Sequence, residues 1–242
     1  MSYFLPAEYV EQPRSFSHDA HRDGEPYWAP WRLAESGRFQ HYVYMWAASL
    51  TRRQGVGSVL DVGCGPATKL GRWIAPHGVD ITCLDQRTAL DVARERVPGA
   101  TLVECDLEWP PETLGRTFDL IICADVLEHL LDPDPVMQLI RASSHASTTI
   151  LLSTPERRRE RGRACMRSDK PEHVREWADD EFRLYVESRG LRVTRQRMLP
   201  KADEPLLAGR RGERAFRAGQ ADRSPWACQA LLCRVANGEG RR

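Results

Sequence analysis

Lysine is almost missing from this chain: 3 residues against 32 arginines in 242. That skew has the look of a GC-rich genome, so runs of arginine say little about partners. The seven cysteines include no C-x-x-C pair, which removes the common structural-zinc and thiol-redox motifs. No apolar run approaches the roughly 20 residues a bilayer-crossing helix needs. The start, Met1-Ser2-Tyr3-Phe4-Leu5-Pro6, carries neither a basic region nor a cleavage site. A cytoplasmic protein without a membrane partner is expected. No internal repeat is evident. At 41% hydrophobic and net charge +1, the chain can bury one substantial core, which favours one domain with insertions.

Four apolar segments each run into a turn or an acid. Val59-Leu60-Asp61-Val62 leads into Gly63-Cys64-Gly65-Pro66-Ala67, and Val79 to Leu84 ends at Asp85. Leu102 to Cys105 ends at Asp106, and Phe118 to Cys123 runs into Ala124-Asp125-Val126-Leu127-Glu128-His129. Cys64, Cys83, Cys105 and Cys123 fall in or beside these segments, where a thiol acts as a small hydrophobe. A buried strand followed by a glycine turn that opens a helix lays backbone N–H groups against a nucleotide. Carboxylates at successive strand ends suit one ligand lying across the carboxyl edge of a parallel sheet. A dinucleotide turn asks for glycine where this chain has Thr68. Asp61, directly before the turn, suits an ammonium group and has no task beside a diphosphate. The pattern favours a ribose-bearing ligand with a cationic amino-acid end.

Around this centre the periodicity predicts the remaining elements. Residues 1–50 read as an irregular aromatic arm (Tyr9, Phe16, Tyr27, Trp28, Trp31) and a lid helix carrying Phe39, Tyr42, Val43, Trp46 and Leu50. The main domain is expected over 51–236, with insertions at about 156–176 and 199–226, and a tail at 237–242. Pro66 to about Pro76 is expected to be helical, as is Thr88 to Arg96 with Thr88 as N-cap. Asp132-Pro133-Asp134-Pro135 opens a helix through about Ser143, Thr148–Ser153 is a fifth strand, and Asp179–Ser188 is a helix closed by Gly190. Leu191–Met198 and Ala227–Arg234 complete the strands as a C-terminal hairpin. Glu156–Pro171 is polar and without hydrophobic period, which predicts disorder or a functional lid. Residues 1–155 carry 13 basic and 20 acidic side chains, and residues 156–242 carry 22 and 14; the basic half reads as a solvated surface or a contact for an anionic partner.

Asp61-Val62-Gly63-Cys64-Gly65, Asp85, Cys105-Asp106-Leu107-Glu108 and Asp125–His129 together resemble the class I S-adenosylmethionine-dependent methyltransferases. The resemblance covers roughly residues 40–197, with four motifs in register. It implies a Rossmann-like α/β fold with a seven-stranded, mostly parallel sheet and an antiparallel C-terminal strand. It implies S-adenosyl-L-methionine as cofactor, held by Asp61, Gly63 and Gly65, by Asp85 and Gln86 at the ribose, by Asp106 and Leu107 at the adenine, and by Ala124 and Asp125. Glu128-His129 is similar to the ubiquinone-pathway O-methyltransferases. Pro171–Trp177 resembles the stretch after strand five in methyltransferases of sugar and small-metabolite pathways.

Methyl transfer needs the nucleophile held in line and, for a hydroxyl, a base to take its proton. His129 is the first candidate base and His173 the second; either can equally be a packing residue. Tyr27, Trp28, Tyr44 and Arg175 are the expected acceptor contacts, with Gln40 and His41 over the methionine end. Relatives suggest Asp125, Glu128 and His129 as a metal set, but no metal is expected. The expected function is methylation of a small-molecule hydroxyl, a sugar or sugar-bearing natural product favoured, by a monomer or homodimer with no nucleic-acid partner. Carboxyl or amine methylation, RNA methylation and a non-catalytic nucleotide-binding module are the alternatives; an NAD-dependent oxidoreductase is disfavoured by Thr68.

Overall fold

The computed structural model describes residues 2–13, 21–22, 25–202 and 226–236. The expected tail and most of the insertion at 199–226 lie outside the described residues. Seven strands form one sheet: β1 (Ser58–Val62), β2 (Asp80–Asp85), β3 (Thr101–Glu104), β4 (Phe118–Ala124), β5 (Ser144–Pro155), β6 (Leu191–Leu199) and β7 (Cys228–Val235). Their order across the sheet is β3-β2-β1-β4-β5-β7-β6. The first five pair in parallel, and β7 runs antiparallel to both its neighbours. The chain winds outward from β1 to β3 and then returns to add β4 on the other side. That switch leaves a crevice beyond the carboxyl ends of β1 and β4, where α/β sheets bind ligands.

The helices are α1 (Pro30–Glu35), α2 (His41–Gln54), α3 (Thr68–Trp73), α4 (Arg87–Arg96), α5 (Asp134–Ala142), α6 (Arg157–Arg161) and α7 (Asp179–Ser188). Parallel strands covered on both faces read as unbroken apolar runs, and here the two faces alternate along each strand. Leu60, Ile121 and Cys123 pack with Val136 and Leu139 of α5 and Phe182 of α7. Val59, Leu120 and Ile122 pack with Val43 of α2, Leu70 of α3 and Leu90 of α4. Each such Leu or Ile contributes about 1.5–3 kcal/mol on burial. Among the described residues no helix is long and apolar enough to cross a membrane.

Helix α5 shows how sequence sets an element. The Asp132 carboxylate accepts the Asp134 N–H at 3.0 Å, and a proline occupies the first turn. Val136, Met137, Leu139 and Ile140 then bury one face, and the Ser143 N–H closes the helix on the Leu139 carbonyl at 2.9 Å. Leu139→Ala would cost about 2–5 kcal/mol.

Four expectations need correction. Helix α4 begins at Arg87 with Gln86 as its cap residue and no side-chain cap, so Thr88 lies inside it. Helix α3 begins at Thr68, because Gly65 and Ala67 hold left-handed φ values of 56° and 52° that keep Pro66 in the turn. Phe39 lies outside α2, bridged to Ala202; the helix ends at Gln54, where Gly55 takes a left-handed conformation. Of the two readings of the stretch after β5, disorder is the one overturned: Glu156, Arg157, Ser168 and Glu176 are all buried. Glu156 accepts the N–H groups of Arg159 (2.7 Å) and Asp179 (3.2 Å), and Arg157 donates to the Cys165 carbonyl (2.7 Å) and to Glu181. Hydrophobic periodicity treats charge as surface, and this segment buries its charges against one another.

Candidate active site

A cavity of about 390 Å³ opens at the carboxyl ends of β1, β2 and β4, within the usual ~300–1,000 Å³ of small-molecule sites. Its walls come from the turns after those strands, from Tyr27–Gln40 of the arm, from Lys170–His173 and from Lys201.

The glycine turn is fixed by Gly63 and Cys64, whose N–H groups donate to the Leu84 carbonyl at 2.8 and 3.1 Å. Gly63 holds φ 74°, and a side chain on it would stand 2.3 Å from Val126 Cγ2. The turn can lie against the loop after β4 only because that position has no Cβ. At the end of β2, Asp85 accepts N–H groups from Gly65 (2.8 Å), Gln86 (2.7 Å) and the Trp28 indole (3.2 Å). The Trp28 ring stands on Gly65: a side chain there would meet it at 3.0 Å. Burial pushes Asp85 up to about 6 against the pull of these donors.

Asp61 is fully buried, one oxygen taking the Tyr44 hydroxyl at 2.7 Å and the other meeting no donor. Burial lifts it to about 7, opposed by Tyr44 and Lys69, and burial lowers Lys69 to about 8. Behind Tyr44, which lines the cavity, lies a buried acid short of one partner.

After β4 the chain enters a left-handed residue, Asp125 (φ 52°), an unusual and costly state for a residue other than glycine. Its N–H is tied to the Ser153 carbonyl at 3.0 Å, and one carboxylate oxygen takes the Gln40 amide while the other is buried without a donor. The 3₁₀ turn Leu127–His129 follows. His129 Nδ1 lies 2.8 Å from the Glu172 carbonyl. A carbonyl only accepts, so Nδ1 carries the proton and Nε2 keeps its lone pair. His173 Nδ1 lies 2.5 Å from Glu176 Oε1, which sets the same tautomer. The two rings are 4.7 Å apart, edge to face, and Tyr27 stands edge-on to His129 at 5.9 Å.

The two histidines differ in what surrounds them. Burial, His173, Lys170 and Arg32 all drive His129 well below its ordinary pKa. Burial lowers His173 as well, but the Glu176 carboxylate pushes back. Glu176 is itself held far below the usual carboxylate range by His173 and Arg161, despite its burial, and also accepts Ser168 Oγ at 2.9 Å. A protonated His173 would therefore have a counter-charge in contact.

Glu128, His129 and His173 offer ligand atoms within 4.8 Å of one another. Glu128 is fully buried, neither oxygen has a well-formed hydrogen bond, and burial drives its pKa well up. The donor set suits a divalent ion, with His173 where the set suggested by relatives has Asp125. Against it, Lys170 and Arg32 bring positive charge to His129.

The structure gathers most of the expected residues. Gly63, Gly65, Asp85, Gln86, Leu107, Ala124, Asp125, Tyr27, Trp28, Tyr44, His129 and His173 all line the cavity, while Asp61 backs it through Tyr44. Asp106 does not line it and caps its own turn, accepting the Glu108 N–H at 2.9 Å. Arg175, expected as an acceptor contact, does not line the cavity: it is buried under Tyr3, its guanidinium bound to the carbonyls of Leu130 (2.9 Å) and Leu131 (2.7 Å) and to Glu11. His41 lies edge to face with Trp73 at 5.3 Å rather than in the wall. Glu176, Arg32 and the lysines were not anticipated. The signal for the lysines was their scarcity.

A family model described as a methyltransferase domain matches residues 37–196. A ubiquinone biosynthesis O-methyltransferase from Photorhabdus laumondii subsp. laumondii is 36% identical over 96 residues, covering 36% of this chain and 40% of the relative. The chain thus spans about two fifths of that relative's length. Among solved structures, the cyclase SpnF superposes with a TM-score of 0.60 at 16% identity, covering 97% of this chain and 89% of that one. A Burkholderia thailandensis 1,6-didemethyltoxoflavin-N1-methyltransferase, solved with S-adenosylhomocysteine, gives 0.56 at 14% identity, covering 81% and 80%. At such identities the likeness is one of fold.

Proposed function

This chain belongs to the methyltransferase-domain family, and from that premise we propose that it methylates a hydroxyl of a small molecule, using S-adenosylmethionine. The residues present suit that cofactor. Asp61 keeps one buried oxygen without a donor, as an ammonium group would require. Asp85 stands at the end of β2 for the ribose, and Leu107 and Cys105 offer the wall for the adenine. When bound, the cofactor supplies an electrophilic methyl group on a sulfonium.

The observation that carries the hydroxyl reading is the pairing of His173 with Glu176. Two imidazoles face the cavity with Nε2 lone pairs, and one is braced by a carboxylate. In such a site His173 Nε2 would take the acceptor's proton as the methyl leaves the sulfonium sulfur for the oxygen, while Nδ1–H stays with Glu176, which balances the new charge. His129, with no such counter-charge, orients the hydroxyl from beside it. Tyr27, Trp28 and Trp31 give the wall an aromatic character that suits a ring-bearing acceptor, a sugar or sugar-bearing natural product. The test is calorimetric titration with S-adenosylhomocysteine and with NAD, followed by mass detection of a gain of one methyl on candidate hydroxyl and carboxyl acceptors. Binding of NAD in place of S-adenosylhomocysteine would overturn the proposal.

A further inference from the structure

All three lysines of the chain, Lys69, Lys170 and Lys201, line the same cavity, although arginine supplies nearly all the chain's other basic charge. Two are engaged: Lys69 donates to the Ser36 carbonyl at 2.7 Å, and Lys201 contacts the Glu160 carboxylate. The neighbouring Arg32 pairs with Glu172 at 3.6 Å. Lys170 is different. Its main chain is fixed on both sides, the N–H to Ser168 Oγ and the carbonyl to the His173 N–H, each at 3.1 Å. Its ammonium pairs with no carboxylate among the described residues. Burial and Lys201 push its pKa down, with Asp125 and Glu172 opposing. The result is a half-buried positive charge, held on a rigid segment three residues before the imidazole of His173.

We propose that Lys170 receives an anionic group, a carboxylate or a phosphate, carried by the acceptor; this rests on reading the cavity as the acceptor site. An ammonium is a compact point charge with three donors, which suits either anion. In a recess partly shielded from water its attraction is stronger than at the surface. An anion there would also relieve the repulsion between Lys170 and Lys201. Lys170 bears electrostatically on both His129 and His173, so an acceptor anchored by its anion would bring a hydroxyl on the same molecule toward the imidazoles.

The test is calorimetric titration of wild type, Lys170→Gln and Lys170→Arg with inorganic phosphate, with benzoate and with benzyl alcohol as the neutral control. Each titration is run on protein saturated with S-adenosylhomocysteine, which removes the cofactor's own carboxylate as an occupant, and on protein without it. Thermal melts check that each variant is folded. At least one anion should bind wild type about tenfold more tightly than Lys170→Gln, as expected for a lost charge-assisted hydrogen bond. Lys170→Arg should recover most of that affinity, and benzyl alcohol should not discriminate. Whichever of phosphate and benzoate binds more tightly identifies the anion. Equal anion binding to wild type and Lys170→Gln, or no binding of either anion, overturns the proposal. If S-adenosylhomocysteine fails to bind while the anions still discriminate, the methyl-transfer reading falls and the anion site stands.

Discussion

The Trp28 indole N–H donates to Asp85 Oδ1 at 3.2 Å, on the acid at the end of β2 that is best placed to hold a ribose. The same ring stands against Gly65, so the arm fills space that an adenosyl ligand would share. If Asp85 holds the ribose as proposed, binding displaces this contact, and a hydrogen bond to a charged group is worth about 1.5–3 kcal/mol. Trp28→Phe, which keeps a ring and loses the donor, should tighten S-adenosylhomocysteine by about tenfold or more in calorimetry. A weaker complex would mean that the indole supports the ligand instead of standing in for it.

Asp85→Ala removes the acceptor itself. Two lost charge-assisted hydrogen bonds predict at least about tenfold weaker S-adenosylmethionine binding. An unchanged dissociation constant would place the ribose elsewhere.

Glu176→Gln should separate the two histidines. Glu176 raises the pKa of His173 against its burial, so wild-type kcat should fall as pH drops through a value below the ordinary 6.5. The Gln variant loses that support. Its acidic limb should move to still lower pH, and its kcat should fall by about 10- to 100-fold as a weaker base would dictate. His129→Ala should leave the position of that limb within a few tenths of a pH unit. If His129→Ala abolishes the limb and Glu176→Gln does not, His129 is the base.

The strand ends and the glycine turn were legible because each is local: Gly63, Asp85 and Asp125 follow directly from the strands that position them. Glu176 was not legible, because its task depends on Arg161, Ser168 and His173 folding back on it. Arg175 was misread for a related reason. Its neighbours in sequence belong to the site, but its side chain turns the other way, under Tyr3. Buried charge defeats periodicity, which is why the segment from Glu156 to Pro171 reads from sequence as disorder or a lid.

Turnover should survive exhaustive chelation. Glu128, His129 and His173 could ligate an ion, yet Lys170 and Arg32 direct positive charge at His129, which works against a dication. Activity lost to a chelator and restored by zinc or magnesium would show that the ion outcompetes those cations.

Asp61 predicts an inverted pH dependence of stability. Its pKa is about 7 in the folded chain against 3.8 for an unburied aspartate, so it favours the fold while protonated. That contribution is complete below about pH 4 and is lost as pH rises through about 7. Without ligand, Asp61→Asn should therefore melt a few degrees above wild type at about pH 8, with the difference shrinking at about pH 5. It should also bind S-adenosylmethionine less tightly. A variant less stable than wild type at the higher pH would show that the carboxylate is already compensated.

Of the seven cysteines six are buried, and Cys165 alone is half exposed. Its carbonyl accepts Arg157, and Arg161 at the end of the same short helix holds Glu176. The protein thus carries a native attachment point for a maleimide dye or a nitroxide, on the segment that bears Lys170 and His173, with no need to remove other thiols first. Labelled there, unmodified protein becomes its own sensor, and occupancy of the cavity can be followed as a change in the label's emission or mobility before any acceptor is known.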